Sequence, residues 1–421
     1  RILEEEPSDT EFVGRNELVK TFPDMLTGDS FFDYAMTRLD SSPKFGAAVI
    51  RIDTPNDRDE NPGQGITIDL CMDVARVIDT VCDNENGIWG RLGNDLFGCY
   101  FPEKSAERCI EFSGNMRERL KKLRKETVSI GIAEYPTINF SKTRISDNAL
   151  KALYHAGFFG PDSIVSFDAV SLNISGDKLY QNGDIEGAIR EFTTALMLDP
   201  SNINVRNSLG VCYGILADYD KAKEEFDTVA WLDLEEIMPV YNLGLINMLD
   251  GNKEKALEFF LRANSLDEDV FEVAFQIGRL YLETGKPEIG KPFLEKATLL
   301  KPDSGVAFRH LGECFTVMDM TNEAISAYKN SVRHNPNDAD ALSALGHLFE
   351  LQDENPEIAI MFCKQSIEIS PENGLFRHRL GRLYLKGNRL DDALREFKTA
   401  NHLGFDATQY IKEVENLMLD N

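Results

Sequence analysis

The sequence predicts an α+β domain, an antiparallel-rich sheet with helices packed on it, followed by an all-α array of repeated helix pairs. Two observations predict this. Up to Asp168, short apolar runs alternate with amphipathic segments in the order strand, helix, hairpin, helix, strand, helix, strand, as a sheet with helices against it requires. After Asp168 the chain is periodic: Gly176, Gly210, Gly244, Gly278, Gly312, Gly346 and Gly381 recur at spacings of 34, 34, 34, 34, 34 and 35 residues, and such a period marks stacked two-helix units.

Composition narrows the partners. The chain has 421 residues, 42% hydrophobic and 28% charged, enough for two or three domains with sizeable cores. With 45 Lys and Arg against 71 Asp and Glu its formal charge is -26, a field that repels nucleic acid and anionic membrane. The 7 cysteines (Cys71, Cys82, Cys99, Cys109, Cys212, Cys314, Cys363) stand singly, with no zinc spacing, and read as buried thiols in a reducing cytoplasm. No apolar run is long enough for a membrane span and no signal peptide opens the chain. It begins at Arg1 rather than Met, which suggests a fragment whose upstream part carries a sensor or anchor.

In order, residues 1–23 read as an acidic lead-in. The domain spans 24–168. It opens with the turn Asp24-Met25-Leu26-Thr27-Gly28 and a helix containing Phe31, Phe32, Ala35 and Leu39. A buried strand follows over Phe45 to Asp53, then a polar loop at 56–65. Ile68, Cys71, Met72, Ala75, Ile78 and Cys82 share one helix face. Gly90 to Pro102 reads as a β-hairpin: Leu92, Leu96, Phe97, Tyr100 and Phe101 are strand formers, and Gly93-Asn94-Asp95 are types that tolerate the positive φ of a tight turn. A helix from about Ser105, a strand over Thr127 to Glu134, a helix over Ser146 to Ala156 and a strand over Ser163 to Phe167 complete it.

Several stretches carry a resemblance. Asp24-Met25-Leu26-Thr27-Gly28 is similar to the D-x-L-T-G opening of GGDEF diguanylate cyclase domains. Arg91 to Phe97 is similar to their R-x-G-G-D-E-F hairpin, Val128 to Ala133 to their V-S-I-G-I-A strand, and Ala149 to Tyr154 to their A-D-x-A-L-Y helix. The resemblance implies a palm-like α+β fold and, in an active member, GTP held with Mg²⁺ and joined to a cyclic dinucleotide. It also implies which residues to check. The hairpin motif is vestigial here: Gly93, Asn94, Asp95, Leu96 and Phe97 keep one acid, with Asn94 for the second Gly and Leu96 for the Glu. The vestigial metal position is Asp53 with Asp95, but Arg51 stands where the family's first strand places its metal-binding Asp. The family's guanine-binding Asn falls near Asp59. Gly157 and Pro161 replace the two phosphate cations, and the R-x-x-D motif is absent at Asn84 to Gly87. Losing several charge-assisted contacts of roughly 2 to 4 kcal/mol each removes the chemistry, so the expectation is an inactive domain with no cofactor. GTP or cyclic di-GMP sensing and an active cyclase stay as the second and third readings.

The array resembles the tetratricopeptide repeat: seven units over 169–404, with the small ladder Ala188, Ala222, Ala256, Gly290, Ala324, Ala359, Ala393 and the ladder Phe192, Phe226, Phe260, Leu294, Tyr328, Phe397. The small residue of each first helix lets its second helix approach, and the aromatic fills the gap to the next unit. Pro200, Pro302, Pro336 and Pro371 end units. Residues 405–421 read as a polar-faced capping helix closing a superhelical solenoid. Function is expected in the groove lined by first helices, where Arg279, Arg309, His310, His347, Arg377, His378 and Arg382 make either a site for an acidic or C-terminal carboxylate peptide or a solvated face with incidental cations. Asn207 and Asn242 lack the Lys partners of a carboxylate clamp. The expected protein is a cytoplasmic bacterial signalling scaffold that binds a protein or peptide.

Overall fold

A computed structural model describes residues 15–53, 66–353 and 355–419. Asp59 and the loop around it lie outside the described residues. The chain divides into two compact units, Arg1–Leu232 and Asp233–Asn421.

The first unit contains the sheet. Its elements are α1 (Arg15–Thr21), β1 (Leu26–Thr27), α2 (Gly28–Leu39), β2 (Phe45–Ile52), α3 (Ile68–Glu85), β3 (Ile88–Arg91), β4 (Leu96–Pro102), α4 (Ala106–Leu123), β5 (Val128–Tyr135), α5 (Ile145–Ala156) and β6 (Ile164–Ser166). The strand order is β1-β3-β4-β2-β5-β6. The four central strands pair antiparallel, with Val49 opposite Gly98 on one side and Gly131 on the other. Both edge strands pair parallel, so the sheet is mixed rather than wholly antiparallel.

Alternation along β2 divides the core. Ala48, Ile50 and Ile52 join Val128, Ile130 and Ile132 under α3 and α4. Phe45, Ala47 and Val49 join Tyr100 and Ala133 under α2 and α5. Two amphipathic helices per face thus cover a sheet whose central strands are apolar on both sides.

The hairpin tip departs from the sequence reading. None of Gly93, Asn94 and Asp95 takes a positive φ. The turn is shaped from inside: Arg91 is fully buried, its Nε donates to the Gly93 carbonyl at 2.9 Å and its Nη2 to the Asn94 carbonyl at 2.8 Å. A guanidinium fork fixes the tip, so no left-handed residue is needed there.

The unit continues as α6 (Ala169–Gln181), α7 (Ile185–Leu198), α8 (Ile203–Ile215) and α9 (Tyr219–Leu232). The second unit holds α10 (Ile237–Leu249), α11 (Lys253–Leu266), α12 (Phe271–Glu283), α13 (Pro287–Leu300), α14 (Gly305–Val317), α15 (Thr321–His334), α16 (Ala339–Gln352), α17 (Pro356–Ile369), α18 (Gly374–Lys386), α19 (Leu390–His402) and α20 (Thr408–Leu419). Each ladder Gly lies under a side chain of its own pair. A Cβ on Gly312 would come 2.9 Å from the Tyr328 ring, and one on Gly210 would come 2.7 Å from Phe226. The aromatic therefore fills its own pair, where the sequence reading placed it in the gap to the next. In the sixth pair Cys363 takes that place against Gly346, which is the rung missing from the aromatic ladder. Among the described residues no helix is long and apolar enough to cross a membrane.

Candidate functional site

Two regions carry the residues singled out by sequence. The first is the end of the sheet beside the hairpin. Arg51, opposite Leu96 and Ser129, points to the α5 face, where its Nη2 is 3.9 Å from the place a Gly157 Cβ would occupy. Its Nε is buried without a partner. Burial pushes the Tyr154 phenol up, Arg51 pulls it back and Asp95 adds to the rise, so Arg51 and Asp95 each act on Tyr154 from within Coulombic reach. Burial lowers the Arg91 pKa from its ordinary value, and Asp95 opposes that shift.

Asp53 is engaged elsewhere. It is 7% exposed, and its Oδ1 accepts from Ser129 Oγ at 2.7 Å. Its Oδ2 accepts from Thr127 Oγ1 at 2.7 Å and from the Asp162 amide at 2.8 Å. The carboxylate ties the ends of β2 and β5 to the loop before β6. Both oxygens accept from uncharged donors, one bond on Oδ1 and two on Oδ2, which is the arrangement of a structural carboxylate. Among the described residues no group of three His, Cys, Asp or Glu is arranged to hold a metal ion. Of the hairpin motif, Phe97 is core, Leu96 packs at the edge of the α2 and α5 cluster, and Gly93 and Asn94 offer their carbonyls to Arg91.

The second region is the first-helix face of the second unit. The residue after the ladder Gly and the one four further on lie on one helix face. That face carries Arg279 and Glu283 on α12, which pair at 3.5 Å. On α14 Arg309 Nη1 is 2.8 Å from Glu313 Oε1, and its Nε is 3.3 Å from Asp338 Oδ2. His310 Nδ1 is 2.8 Å from the other Glu313 oxygen. Burial pushes the Glu313 carboxyl up, but His310 and Arg309 outweigh it and hold the group below its ordinary value. Glu350 on α16 collects His347 at 3.3 Å and Arg382 at 2.8 Å, and Arg377 pairs with Glu396 at 3.1 Å. The cations foreseen as a stripe are thus members of alternating networks with the chain's own carboxylates.

His378 differs from the others. It is 8% exposed, enclosed by Phe397, Phe405 and Tyr410 with ring centroids 5.6, 4.6 and 4.9 Å away. Burial, with Arg382 behind it, lowers its pKa to about 4, so it is an uncharged core ring at neutral pH.

Sequence reasoning missed the apolar part of this face. Five residues after the ladder Gly stand Leu249, Val317 and Leu351, exposed by 59%, 61% and 58%. The signal was available, because 249, 317 and 351 share the register of the repeat.

The comparisons concern the helical array. Residues 176–214 match a family model described as TPR repeat, and residues 240–270 and 271–304 each match one described as Tetratricopeptide repeat. No curated protein sequence matches the chain. Among solved structures, YrrB, described as a TPR protein with an unusual peptide-binding site, is 20% identical, with 44% of this chain and 96% of YrrB covered and a TM-score of 0.40. PilF of Pseudomonas aeruginosa is 19% identical, with 50% of this chain and 95% of PilF covered and a TM-score of 0.45. A MamA protein is 24% identical, with 41% of this chain and 93% of MamA covered and a TM-score of 0.36. Residues 176–214 and 240–304 of this chain are tetratricopeptide repeats.

Proposed function

We propose that the chain is a non-catalytic bacterial signalling scaffold of the cytoplasm, which binds a protein or peptide along the first-helix face of its repeats. The observation that carries this reading is the common register of Leu249, Val317 and Leu351, each more than half exposed, beside the Arg309, His310 and Glu313 and the His347, Glu350 and Arg382 networks. Large apolar side chains in solvent, rimmed by charge, are what a partner covers. The partner would carry apolar anchors and acidic groups able to share the arginines.

The sheet domain, on this proposal, is a GGDEF-like domain without cyclase activity. Its support is chemical: the Asp53 oxygens are taken by Thr127, Ser129 and Asp162, and a cation, Arg51, stands where a metal would need a ligand. Incubation with GTP and Mg²⁺ or Mn²⁺ should give no dinucleotide, and calorimetry should show no uptake of GTP or cyclic di-GMP. Product would overturn inactivity, and micromolar affinity would move the reading to a nucleotide sensor. For the binding face, the triple change Leu249→Ser, Val317→Ser, Leu351→Ser should abolish capture of the native partner while leaving helix content unchanged. Full capture would overturn this assignment.

A further inference from the structure

Helix α5 belongs to two structures at once. Through Ala149 and Leu153 it lies on the sheet. Through Lys151 and His155 it lies on the first helix pair. Lys151 is 1% exposed, and its Nζ donates to both carboxylate oxygens of Glu191 on α7, at 2.7 and 2.6 Å. One turn further on, His155 Nδ1 is 3.3 Å from Ser171 Oγ and 3.4 Å from Asp168 Oδ1, the two residues whose reciprocal capping box starts α6. Lys178 of α6 holds its Nζ over the Tyr154 ring at 4.9 Å. Phe140 and Phe167 meet edge to face at 5.9 Å and pack on the cluster of Leu172, Ala188 and Phe192. Only Phe167 and Asp168 separate β6 from α6. The first is packed and the second is a helix cap.

A helical repeat buries its core against its neighbours, so the first and last units of an array each need something that closes the exposed end. At the far end α20 does this, burying Val414 against the last pair. At the near end the covering helix is α5. Independent domains are joined by exposed, flexible linkers, whereas this junction carries an ion pair with a buried lysine and a part-buried glutamate, a capping box and an aromatic contact.

We infer that the sheet domain is the N-terminal cap of the helical array, and that α5, locked by the Lys151 and Glu191 pair, makes the sheet and the first helix pair one cooperative folding unit. The cap role needs no chemistry at the sheet and is independent of what the second unit binds.

Native-state hydrogen exchange on the full chain tests this. In the unaltered protein, amides of β5 and of α7 should open with the same denaturant dependence and merge into one isotherm. Removing Lys151 leaves the part-buried Glu191 carboxylate without its cation, so Lys151→Met should speed exchange in β5 and α7 alike, by about tenfold or more. Lys151→Met with Glu191→Leu should recover most of the loss. Separate isotherms for β5 and α7 in the unaltered chain, or a Lys151→Met effect confined to one of them, would overturn the inference. Should Lys151→Met fail to fold, the isotherms of the unaltered chain decide alone.

Discussion

A Cβ built on Gly131 of β5 would come 2.7 Å from the Leu153 Cα of α5. The helix rests backbone on backbone at that point, and no rotamer can relieve the contact. Gly131→Ala should therefore destabilise the sheet domain by about 2 to 3 kcal/mol, despite alanine's lower conformational freedom in the unfolded chain. Gly114 in α4 gives the opposite sign: nothing lies within 4 Å of its Cβ position, and Gly114→Ala should stabilise by roughly 0.5 to 1 kcal/mol. Urea titrations of the two variants read both signs, and a neutral Gly131→Ala would show that α5 can lift from the sheet.

Arg91 makes a second prediction. Its fork bonds two carbonyls of the hairpin tip from a site that water does not reach. Arg91→Met leaves those acceptors short of donors and should cost about 2 to 4 kcal/mol. Arg91→Lys should recover little, because an ammonium cannot span both carbonyls from the guanidinium's position. Trp89 reports the event, since it stands on β3 of the same hairpin and its indole N–H donates to Asp79 of α3 at 2.9 Å. Its fluorescence in a denaturant titration should shift to a lower midpoint in both variants.

Much of the fold was legible because the signals were steric or periodic. Gly312 must be small under Tyr328, and Ile50 and Val49 must face opposite cores, so spacing alone finds them. What stayed hidden depends on pairing across the sequence. Arg309 and Glu313 are four apart and could have been paired on paper, whereas Arg382 and Glu350 meet only when two helices pack. Lys151 in Ala149-Leu150-Lys151-Ala152 gives no sign that Glu191 awaits it. Gly93-Asn94-Asp95 suggested a left-handed turn because turn statistics contain no buried arginine.

His378 couples stability to pH. Its folded pKa of about 4 lies below the ordinary 6.5, so between those values the unfolded chain binds the extra proton. Stability of the second unit is fully present above pH 6.5 and falls as pH drops toward 4, by roughly 2 to 3 kcal/mol if this ring alone titrates. Arg382, Arg379 and His347 reinforce the effect and Glu350 opposes it. His378→Phe keeps the contact with Phe397, Phe405 and Tyr410 and should flatten this part of the profile. Thermal melts from pH 7 to pH 4 on both proteins check it, and an unchanged slope would assign the pH dependence to other groups.

The thiols give a simple measurement. All seven cysteines are free and buried, and burial pushes Cys109 and Cys363 up to about 12 and Cys212 and Cys314 up to about 11. Thiolate is the reactive form, so a thiol reagent at pH 8 should label none of them in the folded chain and all 7 in denaturant. Rapid labelling of Cys363 in the folded state would mean that the sixth pair, where a thiol replaces an aromatic ring, opens locally.

The last prediction concerns the arginines of the first-helix face. Arg309 lies between Glu313 and Asp338, and Arg382 lies against Glu350. Reversing either charge would crowd carboxylates that are themselves partly buried, so a lost interaction could reflect a damaged helix pair. Arg309→Gln with Arg382→Gln keeps donors beside those acids and removes only the cations. If the partner presents acidic groups, capture by this double variant should fall about tenfold or more, the loss expected for two exchanged charge-assisted hydrogen bonds, with helix content unchanged. The same capture by the unaltered chain should weaken as salt rises, since the guanidinium groups that would meet the partner are themselves partly exposed. Capture that ignores both the double variant and salt would leave the apolar register of Leu249, Val317 and Leu351 as the recognition element and the arginines as internal counter-charges.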